Sequence, residues 1–213
     1  MDIQERLTAF AMLGAGWVLW LLVALSVVGL AVGIERLRFF WMTRCDVEEL
    51  RTALEKGITG KAREALMAKL ASNASAEASV LLAGITGLTH GVASAEQSMA
   101  AAIRLARLRM SRSLTYLGTV GNNAPFVGLL GTVIGIVRAF SELERSQGQV
   151  TSGLMAEVGE ALVATAVGIL VALPAVALFN YFQRVVKERI TQAQALADTL
   201  LAMAKETTPG EDS

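Results

Sequence analysis

The sequence predicts an all-α membrane protein with three transmembrane helices and long cytoplasmic helical extensions. Composition is the first observation: 54% of the 213 residues are hydrophobic and 18% charged, with a mean hydropathy of +0.51. The second is distribution. Residues 7–34, 113–137 and 161–183 contain no charged side chain, and each run meets the roughly 20 residues a helix needs to cross about 30 Å of hydrocarbon. The third is the placement of lysine and arginine, which resist translocation and collect at particular ends of these runs.

The first span is expected at 14–34, preceded by a periplasmic N-terminus at 1–13. Its apolar run is too long for the centre of a cleavable signal peptide, and Asp2 and Glu5 stand where such a peptide needs basic residues. The second and third spans are expected at 113–137 and 161–183. Arg36, Arg38 and Arg44 follow the first span, Arg104, Arg107, Arg109 and Arg112 precede the second, and Arg184, Lys187 and Arg189 follow the third; Arg6, Arg138 and Arg145 are the basic residues on the other side. This asymmetry places the N-terminus outside, a helical region at 35–112 inside, a short periplasmic loop at 138–160, and a C-terminal helix and tail at 184–213 inside. Trp17 and Trp20 at one end, with Trp41 at the other, suit the two membrane interfaces.

Between residues 46 and 112 the chain is rich in Ala, Leu, Glu, Lys and Arg and lacks proline. Two or three helices are expected there, broken near 57–60 and 84–91. The last, carrying Met99, Ile103, Leu105 and Leu108, is expected to run straight into the second span. Beyond the third span, Val186, Ile190, Ala193, Ala197, Leu200 and Ala204 recur in steps of four and three, the spacing of a narrow packing seam that needs a partner. Residues 207–213, with Pro209 and Gly210, read as a disordered polar tail.

Within the membrane the informative residues are small or polar. Gly131 and Gly135 are four apart, as are Ala124, Gly128 and Thr132, and such ridges let helix backbones approach closely. The third span repeats this with Thr165, Gly168, Ala172 and Ala175, so both helices are expected to pack tightly in an oligomer. Pro125 withholds a hydrogen-bond donor from the Gly121 carbonyl, and Pro174 is a second site for a kink. Two readings of Glu160 stand open: a functional carboxylate at membrane depth, or, with Glu157, a complement to the positive end of a helix dipole. Thr132 and Thr165 have a plain alternative as well, because a membrane threonine often bonds its own preceding turn. Asn180 suits a cytoplasmic interface position.

Catalysis has little support. One cysteine, Cys45, excludes an internal disulfide and reads as a juxtamembrane packing residue; one histidine, His90, lies in a turn and excludes a His-pair metal site. Neither a nucleotide-binding glycine loop with its lysine nor a nucleophile elbow occurs. The zero formal net charge gives no reason to expect nucleic acid. No enzyme activity, cofactor or metal is expected.

The runs 124–135 (APFVGLLGTVIG) and 160–168 (EALVATAVG), with 172–176 (ALPAV) and Asn180, resemble the MotA/TolQ/ExbB proton-channel family, most closely its ExbB and TolQ branch. The likeness covers roughly residues 104–189; the N-terminal third matches in hydropathy alone. The resemblance implies a ring of several copies, commonly a pentamer, in the bacterial inner membrane. That ring encloses the single membrane helices of an ExbD- or TolR-like partner, whose membrane aspartate carries protons, with a TonB- or TolA-like protein as a further partner. It also implies that Thr132 and Thr165 line the proton path and that Glu160 stands at its mouth. The sequence itself supplies a reason for the partner: the spans hold no Asp, Lys, Arg or His, so a proton relay needs a titratable group from another chain or water. On a straight helix Glu160 and Thr165 are about 140° apart and do not share one face.

Two classes of function follow from this pattern. One is a motor stator that spends the proton motive force on an envelope process, either TonB-dependent uptake or a Tol-type function. The other is a non-conducting oligomeric scaffold of an export, signalling or gliding complex. A neighbouring reading frame for a one-span protein with a membrane aspartate favours the first, and its absence the second.

Overall fold

The computed structural model describes residue 14 and residues 16–57 and 61–207. The expected N-terminus at 1–13, the glycine-flanked break at 58–60 and the tail at 208–213 lie outside the described residues. Those described are almost wholly helical, with no strand among them. In chain order the helices are α1 (Gly16–Met42), α2 (Val47–Gly57), α3 (Lys61–Ser72), α4 (Ala76–Gly87), a 3-10 turn at Leu88–His90, α5 (Val92–Ser111), α6 (Leu114–Arg145) and α7 (Ser152–Thr207). Three of them, α1, α6 and α7, are long and apolar enough to cross a membrane, with mean hydropathies of 2.5, 1.6 and 2.5 in their most apolar stretches. The chain is a membrane protein of three apolar helices.

Several expected boundaries move, each for a local reason. The segment at 46–112 holds four helices rather than two or three, because a break at Asn73–Ser75 is made by side chains and not by glycine. The Asn73 carboxamide oxygen accepts the Ser75 N–H at 2.9 Å, and the Ser75 hydroxyl caps α4 by accepting the Ala78 N–H at 3.1 Å. The break expected near 84–91 is present, α4 ending at Gly87 and the chain turning at Gly91, whose φ is 101°; Gly84 itself lies inside α4, buried against Met99 and Leu200. Helix α5 does not run into the second span, since Arg112 leaves the helical region with ψ 138° and Ser113 has φ 64°. The segment at 138–160 is helical at both ends, leaving only 146–151 outside helix. There Gln147 (φ 54°) and Gly148 (φ 83°) close α6, the Gly148 N–H reaching the Leu143 carbonyl at 2.9 Å. Thr151 starts α7 by accepting the Leu154 N–H at 3.2 Å.

The chain divides into two compact units. The span unit comprises residues up to Glu35 and Ser113–Tyr181. Its core joins Val18 and Leu22 of α1, Val120, Ala124 and Ile134 of α6, and Val171, Ala172 and Ala175 of α7. The opposite side of α1 is open, with Trp20, Val27, Leu30 and Ile34 all more than half exposed, which suits lipid as the surrounding solvent.

The polar unit comprises Arg36–Arg112 and the chain from Phe182 onward. All six residues of the expected α7 seam are 6% exposed or less. Their partner is this same chain: Ala193, Ala197 and Leu200 share a core with Leu50, Leu54, Leu70, Leu81, Ile85 and Met99 of α2–α5. A buried ion pair crosses this unit. The Arg189 guanidinium donates to both Glu77 carboxylate oxygens at 2.9 and 2.7 Å, to the Thr43 hydroxyl at 2.8 Å and to the Thr43 carbonyl at 2.5 Å. Burial works against the charge of Arg189, yet the bonds and charge of Glu77 outweigh it and hold its pKa above the ordinary value.

Cys45, half-buried beside Ser75 and Glu77, has its thiol pKa raised, first by burial and then by the Glu77 charge. Labelling of the folded protein with iodoacetamide at pH 7.5 is therefore expected to run about tenfold or more slower than labelling of the unfolded chain. Because the unfolded thiol ionises first, its contribution to stability is intact below its ordinary pKa of 9.0 and is lost as pH rises from there through the folded value. Unfolding curves between pH 8 and 11, with Cys45→Ser as the reference, check this.

Candidate functional site

The site is the seam between α6 and the first part of α7, which form an antiparallel pair closed by the turn at 146–151. Facing positions lie nearly symmetrically about residue 148. A Cβ built on Gly135 would stand 2.5 Å from the Ala161 Cβ, one on Gly131 2.6 Å from the Ala164 Cβ, and one on Gly118 3.0 Å from the Phe179 ring. At the centre the backbones themselves touch. A Cβ on Gly128 would meet the Ala164 carbonyl oxygen at 2.7 Å and the Thr165 Cα at 3.0 Å, and one on Gly168 would meet the Ala124 carbonyl at 2.8 Å. No side chain fits at either position. Gly128, Gly131, Gly135 and Gly168 thus pack α6 against α7 of the same chain.

The two threonines border this crossing. Thr165 donates its hydroxyl across the seam to the Gly128 carbonyl at 3.1 Å. Thr132, one turn beyond Gly128, donates to the Leu129 carbonyl of its own preceding turn at 2.6 Å, the plain alternative recognised for a membrane threonine. Both are partly exposed at the seam's edge. Glu160 stands apart from them: its Oε1 lies 3.5 Å from where a Cβ on Gly16 would be, so the carboxylate sits beside the start of α1. Within one chain Thr165 borders α6 and Glu160 borders α1. Pro125 lies inside α6 and Pro174 inside α7, both helices continuing through them. The proline ring at 125 leaves the carbonyl of Gly121 without its helical donor in mid-span.

Two features were missed in the sequence. Arg138 and Glu157 form an ion pair across the seam at 2.7 Å, with the side chains 31% and 19% exposed, and the second Glu157 oxygen is buried without a hydrogen bond. The signal was available, because opposite charges one turn beyond Gly135 and one turn before Ala161 face each other in any antiparallel hairpin built on that glycine–alanine contact. The other is a polar stripe on α6. Thr115, Thr119 and Asn122 fall on one exposed face, with Asn123 exposed beside it, and the Asn123 amide donates back to the Thr119 carbonyl at 2.8 Å. Asn122 and Asn123 lie near the middle of the charge-free run 113–137. Exposed amides at that depth need water or another polypeptide in place of lipid.

Among the described residues no group of three or more His, Cys, Asp or Glu side chains comes together as a metal site. The chemistry the seam offers is that of hydroxyl, amide and carbonyl groups, which donate and accept hydrogen bonds and do not themselves titrate near neutral pH.

Comparison with known proteins agrees with this arrangement. Residues 50–195 match the model of the MotA/TolQ/ExbB proton channel family. The biopolymer transport protein ExbB of Neisseria meningitidis is 34% identical over 163 residues, 73% of this chain and 71% of that protein. The corresponding protein of Xanthomonas campestris is 37% identical over 105 residues, 49% of this chain and 42% of its own length. A putative ExbB-like 2 protein of Helicobacter pylori is 42% identical over 81 residues, 38% and 54% of the two lengths. The match thus spans about half the length of these last two relatives. Taken with the three apolar helices and the glycine-threonine seam, the chain belongs to the MotA/TolQ/ExbB proton channel family, on its ExbB/TolQ branch.

Proposed function

We propose that this chain forms the wall of a proton channel, as the stator subunit of an inner-membrane motor. The motor draws on the proton motive force to energise an envelope process, either TonB-dependent uptake or a Tol-type function. In this reading the chain is not an enzyme. It assembles as a ring, pentameric by the family resemblance, around an ExbD- or TolR-like one-span partner, and a TonB- or TolA-like protein takes up the work. The N-terminus lies in the periplasm and the polar unit in the cytoplasm.

The observation that carries this reading is the Thr165–Gly128 bond with Thr132 one turn away. It sets two hydroxyls at the edge of a glycine seam in spans that hold no Asp, Glu, Lys, Arg or His of their own. Such a wall hydrates a proton carrier supplied from outside the chain, and at about 2.3 kcal/mol per charge per 100 mV each proton carries a usable increment of work. Glu160, beside α1, tunes proton entry electrostatically and does not relay.

Thr165→Val keeps the shape and removes the hydroxyl. Proton-driven function in cells is expected to fall about tenfold or more, while Thr165→Ser retains it. Intact function in the valine variant at normal expression overturns the role of the threonine.

A further inference from the structure

Beyond the proton path, the polar unit contains a basic cleft that no step of conduction uses. It has a volume of about 560 Å³ and lies between the end of α5 and the stretch of α7 that follows the third apolar run; Arg107, Ser111, Gln183, Arg184, Val186 and Lys187 line it. Arg107 and Ser111 are one turn apart on α5, as are Gln183 and Lys187 on α7, so two helices present three cations to one opening. Among the described residues no carboxylate lies within 4.0 Å of any of the three. Glu188, next in sequence to Lys187, is exposed and outside the lining. Elsewhere in the same unit Lys69 and Arg189 do have carboxylate partners; here three cations without one line a single opening.

Its place along the chain fixes the kind of anion that suits it. Ser111 stands two residues before Ser113, where the span unit resumes, and Gln183 is the last residue of the charge-free run 161–183. Both walls therefore begin where helices leave the hydrocarbon, at the level of a leaflet's phosphate groups. On α5 beside the arginines, Leu105 and Leu108 are 54% and 71% exposed, apolar surface that suits acyl chains next to a headgroup. Guanidinium groups pair with phosphate through two parallel hydrogen bonds, and the Ser111 hydroxyl and Gln183 amide add neutral donors.

We propose that this cleft binds the headgroup phosphate of an anionic phospholipid from the surrounding leaflet, held by Arg107, Arg184 and Lys187. The assignment rests on membrane insertion alone and stands whether or not the chain conducts protons.

The test is native mass spectrometry of the detergent-purified full chain titrated with phosphatidylglycerol or phosphatidylcholine. The wild type is compared with Arg107→Gln/Arg184→Gln/Lys187→Gln, with the single variant Lys187→Gln, and with a control carrying Lys56→Gln and Lys205→Gln. The wild type and control are expected to prefer phosphatidylglycerol about tenfold, the triple variant to lose that preference, and the single variant to fall between. Should the triple variant fail to fold, the single variant decides. Undiminished phosphatidylglycerol binding in the cleft variants overturns the proposal. So does equal displacement of the lipid by inorganic phosphate at matched concentration, which points to a soluble anion. Loss of oligomeric mass with unchanged lipid bound per chain also overturns it and makes the cleft an interface between copies.

Discussion

Replacing Gly128 with valine is expected to abolish function and to destabilise the span unit by about 2–3 kcal/mol or more. The added atoms would meet backbone, the Ala164 carbonyl at 2.7 Å and the Thr165 Cα at 3.0 Å, and backbone cannot swing aside as a flexible side chain can. The helices would have to separate by an ångström or so along the crossing, stretching the 3.1 Å bond from Thr165 to the Gly128 carbonyl. Gly168→Val is expected to match it, since its Cβ would face the Ala124 carbonyl at 2.8 Å. Gly159→Ala is the control: a Cβ there meets nothing within 4 Å, and the variant is expected to be neutral. Thermal unfolding in detergent, alongside proton-driven function in cells at matched expression, checks all three.

Arg189→Met is expected to destabilise the polar unit by about 3–5 kcal/mol, because it strands the Glu77 carboxylate in the interior. Glu77 is 1% exposed and has no water to turn to. The same substitution removes the donors to the Thr43 hydroxyl and carbonyl, so the chain just after α1 loses an anchor as well. Pairing Arg189→Met with Glu77→Met is expected to recover most of the loss, since a buried ion pair compared with well-packed apolar side chains is often close to neutral. Limited proteolysis and thermal unfolding of the two single variants and the double variant measure this coupling. If the double variant is no more stable than Arg189→Met, the cost lies in the Thr43 bonds and not in a stranded charge.

The spans were legible because bilayer thickness imposes a long charge-free run, and that constraint is local to the sequence. The buried stripe from Val186 to Ala204 was legible for the same kind of reason: helical periodicity marks an apolar face whatever covers it. Identifying the cover was not possible locally. The stripe meets α2–α5 of its own chain across a separation of about a hundred residues, and the glycine ridges meet one another within the chain. Periodicity gives a face but not its partner.

The Asn73–Ser75 break escaped notice because two side-chain hydrogen bonds make it without glycine or proline, whereas the break within 84–91 was legible from its glycines, of which Gly91 makes the turn and Gly84 serves close packing. The Arg189–Glu77 pair joins residues 112 apart in sequence with no local pattern to announce it. In the candidate site, the positions of Thr132 and Thr165 along their helices followed from the sequence, whereas the bond from Thr165 to the Gly128 carbonyl needed the register of the hairpin.

The central claim, that this chain is a channel wall needing a proton carrier from another chain, is tested most directly by proton flux into liposomes under an imposed membrane potential. The chain alone is expected to give flux no greater than empty liposomes. With a one-span partner bearing a membrane aspartate, flux is expected to appear and to disappear again with Thr165→Val. Robust flux through the chain alone contradicts the account.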